Sequence, residues 1–477
     1  MQSEELAIET IVGRVVDELA DRGARSAAAE APPAFDGRGI LEDVGGCVAA
    51  AQRSFEELSG LPLQSRRAFV EAMRRAALDN VSRLSELAVE ETGLGRVEDK
   101  IRKNKLVAER TPGIEELHPS AYSGDHGLTL VERAPYGVIG SITPSTNPSE
   151  TIICNAIGMV AGGNSVVFNP HPGARVVSLT AIDILNRAIA EAGGPRALLY
   201  SVERPTIETA QELMSHDGVR LLVVTGGPGV VRAAMLSGKK VIAAGPGNPP
   251  VVVDETADVP AAARDIIAGA TLDNNIVCIA EKVIIAVRAV AGDLKEALVQ
   301  AGALELRGQS KELVSRTVIE EDLGPRRSSK LNRGLIGKDV SVILESAGVP
   351  CPAGTRLAFM ESDRGHPLVW TEQMMPVLPL VVVEHAEEAM TFAFEVEGGR
   401  GHTAVAHSRN IELLSRMARS MNVSIFVKNG PSYAGLGFGG EGYTSFTIAS
   451  PTGEGLTRAS TFTRERRCTL VDYFRII

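Results

Sequence analysis

From Gly39 to Leu117 apolar residues recur three and four positions apart, as in FEELSGLPLQSRRAFVEAMRRAALDNVSRLSELAVEETG. That spacing predicts helices that bury one face. Beyond Leu117 the period shortens. LTLVERAPYGVIGSITP holds two strand-like runs, and NSVVFNP, RALLYSV, VRLLVVTGG, KKVIAAG and PPVVVDE continue the series. Helical stretches such as VVSLTAIDILNRAIAEAG and TIETAQELMSH lie between them. Near-continuous Val/Ile/Leu strands separated by helices predict a parallel sheet covered on both faces. After Cys278 a second set follows: EKVIIAV, TVI, LPLVVVE, HTAVAHS and VSIFVKN. The expected fold class is α/β, in two domains with a terminal extension.

That extension, EELAIETIVGRVVDELA, has its own pattern. On a helical wheel Ile8, Ile11, Val12, Val15, Val16 and Leu19 fall within an arc of about 140°. Residues 1–20 therefore read as an amphipathic helix, and the Ala/Pro-rich residues 21–38 as a tether. The helix either packs on its own domain, docks on a partner or stays idle. Its acidic polar face does not suit a membrane surface.

Composition narrows the function classes. A formal charge of −10 argues against a nucleic-acid or anionic-membrane partner. The chain has no apolar run of 18 residues, and its N-terminus lacks a secretory signal pattern. Cys47, Cys154, Cys278, Cys351 and Cys468 are scattered and lack CxxC spacing. This predicts a reducing, cytoplasmic setting with no disulfide frame and no metal site.

Candidate chemistry lies in the turns. Cys278 sits in LDNNIVCIAEK, between an Asn pair and an apolar run. A buried hydrophobe and a nucleophile are both open readings there. VVTGGPGVVRAAM offers backbone amides at a helix start, which suit a phosphate or serve packing alone. SITPSTNPSE either presents donors at a strand end or caps the following helix. AAGPGNPPVVVD demands unusual backbone geometry. EGGRGHTAVAHS carries His402 and His407, and GLGFGGEGYTSFTIASPTGEG lines a pocket or merely connects.

Taken in order, TPSTNP, GNSVVFNPHPGA, TGGPG, AAGPGNPPVVVD, NNIVCIAEK, TEQMMPVLP and GFGGEG resemble the aldehyde dehydrogenase superfamily. The details are similar to its CoA-acylating branch, especially the propionaldehyde dehydrogenases of bacterial microcompartments. The resemblance spans Gly39 to Ile477. It implies a Rossmann-type NAD-binding domain at 39–118 and 136–246 and a catalytic domain at 247–455. It also implies oligomerisation elements at 119–135 and 456–477, hence a dimer or tetramer. Residues 1–20 are then the peptide that binds microcompartment shell or partner enzymes.

The resemblance makes Cys278 the nucleophile. A thiolate adds readily to an aldehyde carbonyl, and the resulting oxyanion needs fixed donors. The Cys278 backbone N–H is one. The family's second donor is an Asn; gapless alignment puts Thr146 there with Asn147 one place on, so Asn147 is preferred and Thr146 is the alternative. Hydrolytic members carry a glutamate 34 positions before the cysteine; here that position is Ala244. Without a base for water, the acyl group should leave on a thiol, coenzyme A. His402 is a candidate proton relay for that thiol. The resemblance places cofactor contacts at Thr143, Pro144, Asn169, His171, Thr225, Gly226, Gly227 and Glu372. Asn169 and Pro172 replace the family's lysine and acidic residue near the adenosine ribose, so NAD over NADP rests on the branch. The expected activity converts a short aliphatic aldehyde, propanal first and acetaldehyde second, with NAD and CoA to acyl-CoA and NADH. A hydrolytic dehydrogenase and an idle shell-binding scaffold are the alternatives.

Overall fold

The computed structural model describes residues 38–324 and 326–477. The peptide and tether expected at 1–38 lie outside them, apart from Arg38. The described residues divide into two compact units, 38–92, 101–244 and 443–477 in one, and 93–100 and 245–442 in the other.

Four helices open the first unit's described part: Val44–Ser59, Leu63–Asp79, Val81–Thr92 and Val97–Arg110, the last assigned to this unit only from Ile101. Its sheet runs Ile40–Leu41, Leu199–Val202, Ser165–Pro170, Val138–Thr143, Leu221–Thr225, Val241–Ala244, all parallel. The chain adds strands outward from Val138–Thr143, then returns to place Leu221–Thr225 on its other side. That reversal makes a switch point, where α/β sheets take ligands at the carboxyl ends of the strands. Each strand residue from Val138 to Thr143 and from Ser165 to Pro170 is buried. The helix Pro148–Ala161, which follows Thr143, is buried along its whole length, with Glu150 and Asn155 buried among apolar and small residues.

The second unit's sheet runs Leu304–Glu305, Ala358–Glu361, Val377–Val383, Val283–Val287, Pro250–Val253, Thr403–His407, Ile425–Lys428, again parallel throughout. The short strands at 304–305 and 358–361 escape the sequence pattern. TVI goes elsewhere: Ile319–Glu321 pairs antiparallel with Lys330–Leu331 in a two-stranded ribbon. A three-stranded antiparallel sheet, Ser120–Gly124, Gly127–Pro135 and Thr463–Val471, completes the first unit.

Three boundaries differ from those expected, the smallest being residues 245–246, which group with the second unit. Residues 93–100 group with the Cys278 unit, because Gly95 N donates to Gly337 O at 2.9 Å and Lys100 pairs with Asp273 at 3.0 Å. Residues 443–455 group with the first unit: Thr447 Oγ1 bonds Asn155 Oδ1 at 2.9 Å and Thr225 Oγ1 at 3.1 Å.

Candidate active site

Cys278 lies in the connection from helix Val259–Thr271 to strand Val283–Val287. Three successive non-glycine residues there take left-handed conformations: Asp273 at φ 49°, Asn274 at φ 54° and Asn275 at φ 68°. Each such residue costs of order 1–3 kcal/mol and persists only when its surroundings over-determine it. Here they do. Asp273 Oδ2 meets Lys100 Nζ at 3.0 Å, both side chains fully buried, and Asp273 Oδ1 accepts from Arg96 N at 2.7 Å. Asp273 N donates to Asp99. Asn274 Nδ2 donates to Gly337 O, and Asn275 Nδ2 to Ala270 O and Glu281 O.

Lys282 closes the turn from below. Its Nζ donates to Asn275 O at 2.6 Å, Asn275 Oδ1 at 2.5 Å and more weakly to Val277 O at 3.4 Å. Burial pulls this ammonium down to about 8, against the raising pull of Glu372, Cys278 and Glu281. Glu281 accepts from Ser432 N and Oγ at 2.8 Å each, and burial lifts it to about 7. A cation coupled to Cys278 favours its thiolate. Cys278 itself is half-buried, whereas Cys47 and Cys154 are buried and their thiols raised by desolvation, Cys47 to about 12. The contrast suits a reactive thiol at 278 and inert ones at 47 and 154.

Gly247 explains the AAGPGNPP turn. A Cβ there would lie 2.5 Å from Cys278 O and 3.2 Å from His402 Cγ, so close approach rather than a positive φ requires glycine. Gly247 N donates to Glu372 Oε1 at 3.3 Å. One glycine thus brings Cys278, His402 and Glu372 together, all on turns that precede strands of the second sheet. Burial holds the His402 ring neutral, down to about 4; its Nδ1 meets Thr403 Oγ1 at 2.9 Å, and its buried Nε2 has no partner among the described residues. His407 is equally buried and also lowered to about 4, but it lies within a strand.

The remaining candidates lie in the first unit, at the switch point. Thr143 and Thr225 end the two adjacent strands. Thr143 Oγ1 is buried without a partner, and a side chain at Gly227, where helix Pro228–Met235 begins, would enter open space. An orphaned hydroxyl beside an open helix start, with no acidic residue in the Thr225–Gly229 turn, fits an anionic diphosphate. Asn169 fits less directly, since it is already bound: Oδ1 accepts from Thr209 Oγ1 at 2.7 Å and Nδ2 donates to Thr206 O at 3.2 Å. His171 Nδ1 caps its own turn through Gly173 N at 3.0 Å. Pro144 and Thr146 are half-buried. Asn147 stands at the start of helix Pro148–Ala161 yet makes no capping bond. Its Oδ1 accepts instead from buried Lys103 at 2.5 Å.

Sequence reasoning missed Lys100, Lys103 and Lys282, charged residues in segments whose polarity suggests solvent. A signal exists for the first two: Lys100, Lys103, Asn104 and Val107 are spaced as a buried helix stripe, and all four are buried.

Comparison with known proteins identifies the family. Residues 38–460 match the aldehyde dehydrogenase family model. The chain is 50% identical to the acetylating acetaldehyde dehydrogenase EutE of Salmonella typhimurium over 440 residues, 92% of this chain and 94% of the relative. It is 45% identical to a CoA-propanoylating propanal dehydrogenase of Citrobacter freundii over 470 residues, 98% of this chain and 99% of the relative. A propionaldehyde dehydrogenase from the Clostridium phytofermentans fucose utilisation microcompartment superposes with a TM-score of 0.89 at 45% identity, covering 92% of this chain and all of that one. The chain belongs to the aldehyde dehydrogenase family.

Proposed function

We propose that the chain is a CoA-acylating aldehyde dehydrogenase: a short aliphatic aldehyde, NAD and CoA give acyl-CoA, NADH and a proton. The observation that carries this is a half-buried cysteine on a left-handed turn anchored by buried side chains. Cys278 Sγ adds to the carbonyl carbon, and the oxyanion is held by the Cys278 backbone N–H and a second donor, Asn147 or Thr146. NAD, when bound, takes the hydride that leaves as the oxyanion collapses, and Thr143, Thr225, Gly226, Gly227 and Glu372 would hold it. The acyl group then remains on Cys278 as a thioester. Ala244 supplies no base for water, so a thiol, intrinsically the better nucleophile, takes the acyl group. Neutral His402, whose buried Nε2 has no partner among the described residues, would receive that thiol's proton.

Propanal is the first substrate. Acetaldehyde is the second, favoured by the 50% identity to an acetylating relative; one methylene is worth only about 1–3 kcal/mol. Following NADH with propanal and NAD, with and without CoA, tests the reading. CoA-dependent turnover that Cys278→Ala abolishes is the expected result; turnover without CoA means hydrolysis, and none means a scaffold. We further assign the enzyme to a cytoplasmic bacterial microcompartment, with residues 1–20 docking on shell or partner enzymes. A homo-oligomer, dimer or tetramer, is supported by the exposed strand Thr463–Val471 and by exposed Tyr473, Phe474, Ile476 and Ile477. Among the described residues no helix is long and apolar enough to cross a membrane.

A further inference from the structure

Lys103 is almost wholly buried. Its Nζ lies 2.5 Å from Asn147 Oδ1 and 2.9 Å from Glu150 Oε1, and 5.8 Å from the centre of the Phe446 ring. An ammonium has donors and no acceptor, so the Asn147 atom facing it must be the carbonyl oxygen. The orientation of an amide, usually inferred from its whole network, is here dictated by one partner. The Asn147 NH2 group is therefore turned the other way. One of its hydrogens goes to Thr146 Oγ1 at 3.2 Å. That leaves the second for a ligand. Glu150 compensates the charge of Lys103, and Asn147 is excused from capping its helix.

We infer that Lys103 is a positioning residue: by binding Oδ1 it turns the Asn147 NH2 group away from itself and holds it for the oxyanion-donor role proposed above. The inference rests on the reaction proposed above. A charge-assisted bond to Oδ1 also polarises the amide, which strengthens its N–H as a donor.

Two reactions of Cys278 separate positioning from mere structure. Alkylation by iodoacetamide forms no oxyanion; acylation by p-nitrophenyl propionate does. Lys103→Met should slow acylation by about 10–100-fold, part of the roughly 10²–10³-fold that a lost oxyanion donor costs, and leave alkylation unchanged. Asn147→Ala should show the full loss, and Lys103→Met combined with it should be no slower, since both act through one donor. Wild-type acylation in Lys103→Met, or losses that multiply in the double variant, would overturn the inference. Asn147→Asp keeps an acceptor for Lys103, and so the packing, but offers no N–H. It should alkylate normally and acylate as slowly as Asn147→Ala; normal acylation overturns the inference even if Lys103→Met does not fold. Neither reaction uses NAD or CoA. A wild type that acylates but shows no CoA-dependent NADH formation would therefore defeat the proposed function alone.

Discussion

The two sheets present their candidate residues at opposite ends. In the first unit Thr143 and Thr225–Gly227 sit at the carboxyl ends of adjacent strands, where the chain turns directly into a helix. There the ligand-binding groups come with the fold: helix-start amides and short turns need little further support. In the second unit Gly247, Cys278, Glu372 and His402 precede their strands. A helix-to-strand connection brings no outward-facing helix start, so the turn that carries Cys278 must be built from side chains. Buried Lys100, Asp273, Asn274, Asn275 and Lys282 do this. One turn is open and lightly held; the other is strained and heavily anchored.

Breaking the anchor should have the largest effect. Lys100→Met leaves the Asp273 carboxylate buried without its cation, a loss of about 3–5 kcal/mol read from denaturant midpoints. A stability unchanged by that substitution would mean the ion pair does not hold the turn. Gly247→Ala comes next. Its Cβ would press on Cys278 O at 2.5 Å, so we expect about 1–3 kcal/mol of overpacking and a lower kcat, with CoA-dependent NADH formation as the measure.

The pH dependence sharpens the comparison further. Glu281 stands at about 7 in the folded chain against an ordinary 4.5, so the folded state holds the extra proton between those values. Its contribution is present below pH 4.5 and lost as pH rises through about 7. Glu281→Gln should therefore gain on the wild type in urea midpoint between about pH 5 and about pH 8. His407 acts in the opposite sense. Held at about 4 against 6.5, it makes the protein less stable as pH falls through that interval, and His407→Gln should blunt the acid loss. The smallest effect belongs to the open turn: Gly227→Ala, with nothing within 4 Å of the new Cβ, should change stability by less than about 0.5 kcal/mol in the same melts.

Much of this was readable in order along the chain. The runs NSVVFNP, VRLLVVTGG and PPVVVDE are strands because fully buried parallel strands need unbroken apolar sequence. The segment LDNNIVCIAEK drew notice for its cysteine between an Asn pair and an apolar run; only the structure shows that its Asp and Asn residues take left-handed backbone, which those residue types tolerate. Lys103 was only faintly readable. In VEDKIRKNK a lysine that faces solvent and one that faces an asparagine look alike, and only the stripe shared with Asn104 and Val107 separates them. Nor could gapless alignment choose between Thr146 and Asn147, since the choice depends on which side chain a distant helix reaches.

Sequence alone determined the α/β class, the position of the candidate nucleophile and the absence of a glutamate at 244, because periodicity and residue identity are local properties. Tertiary structure decided which polar groups are buried, which way the Asn147 amide points and why Gly247 must be glycine. Those depend on distances between residues far apart in the chain, and burial changes what a charge or an amide can do by removing the water that would otherwise satisfy it.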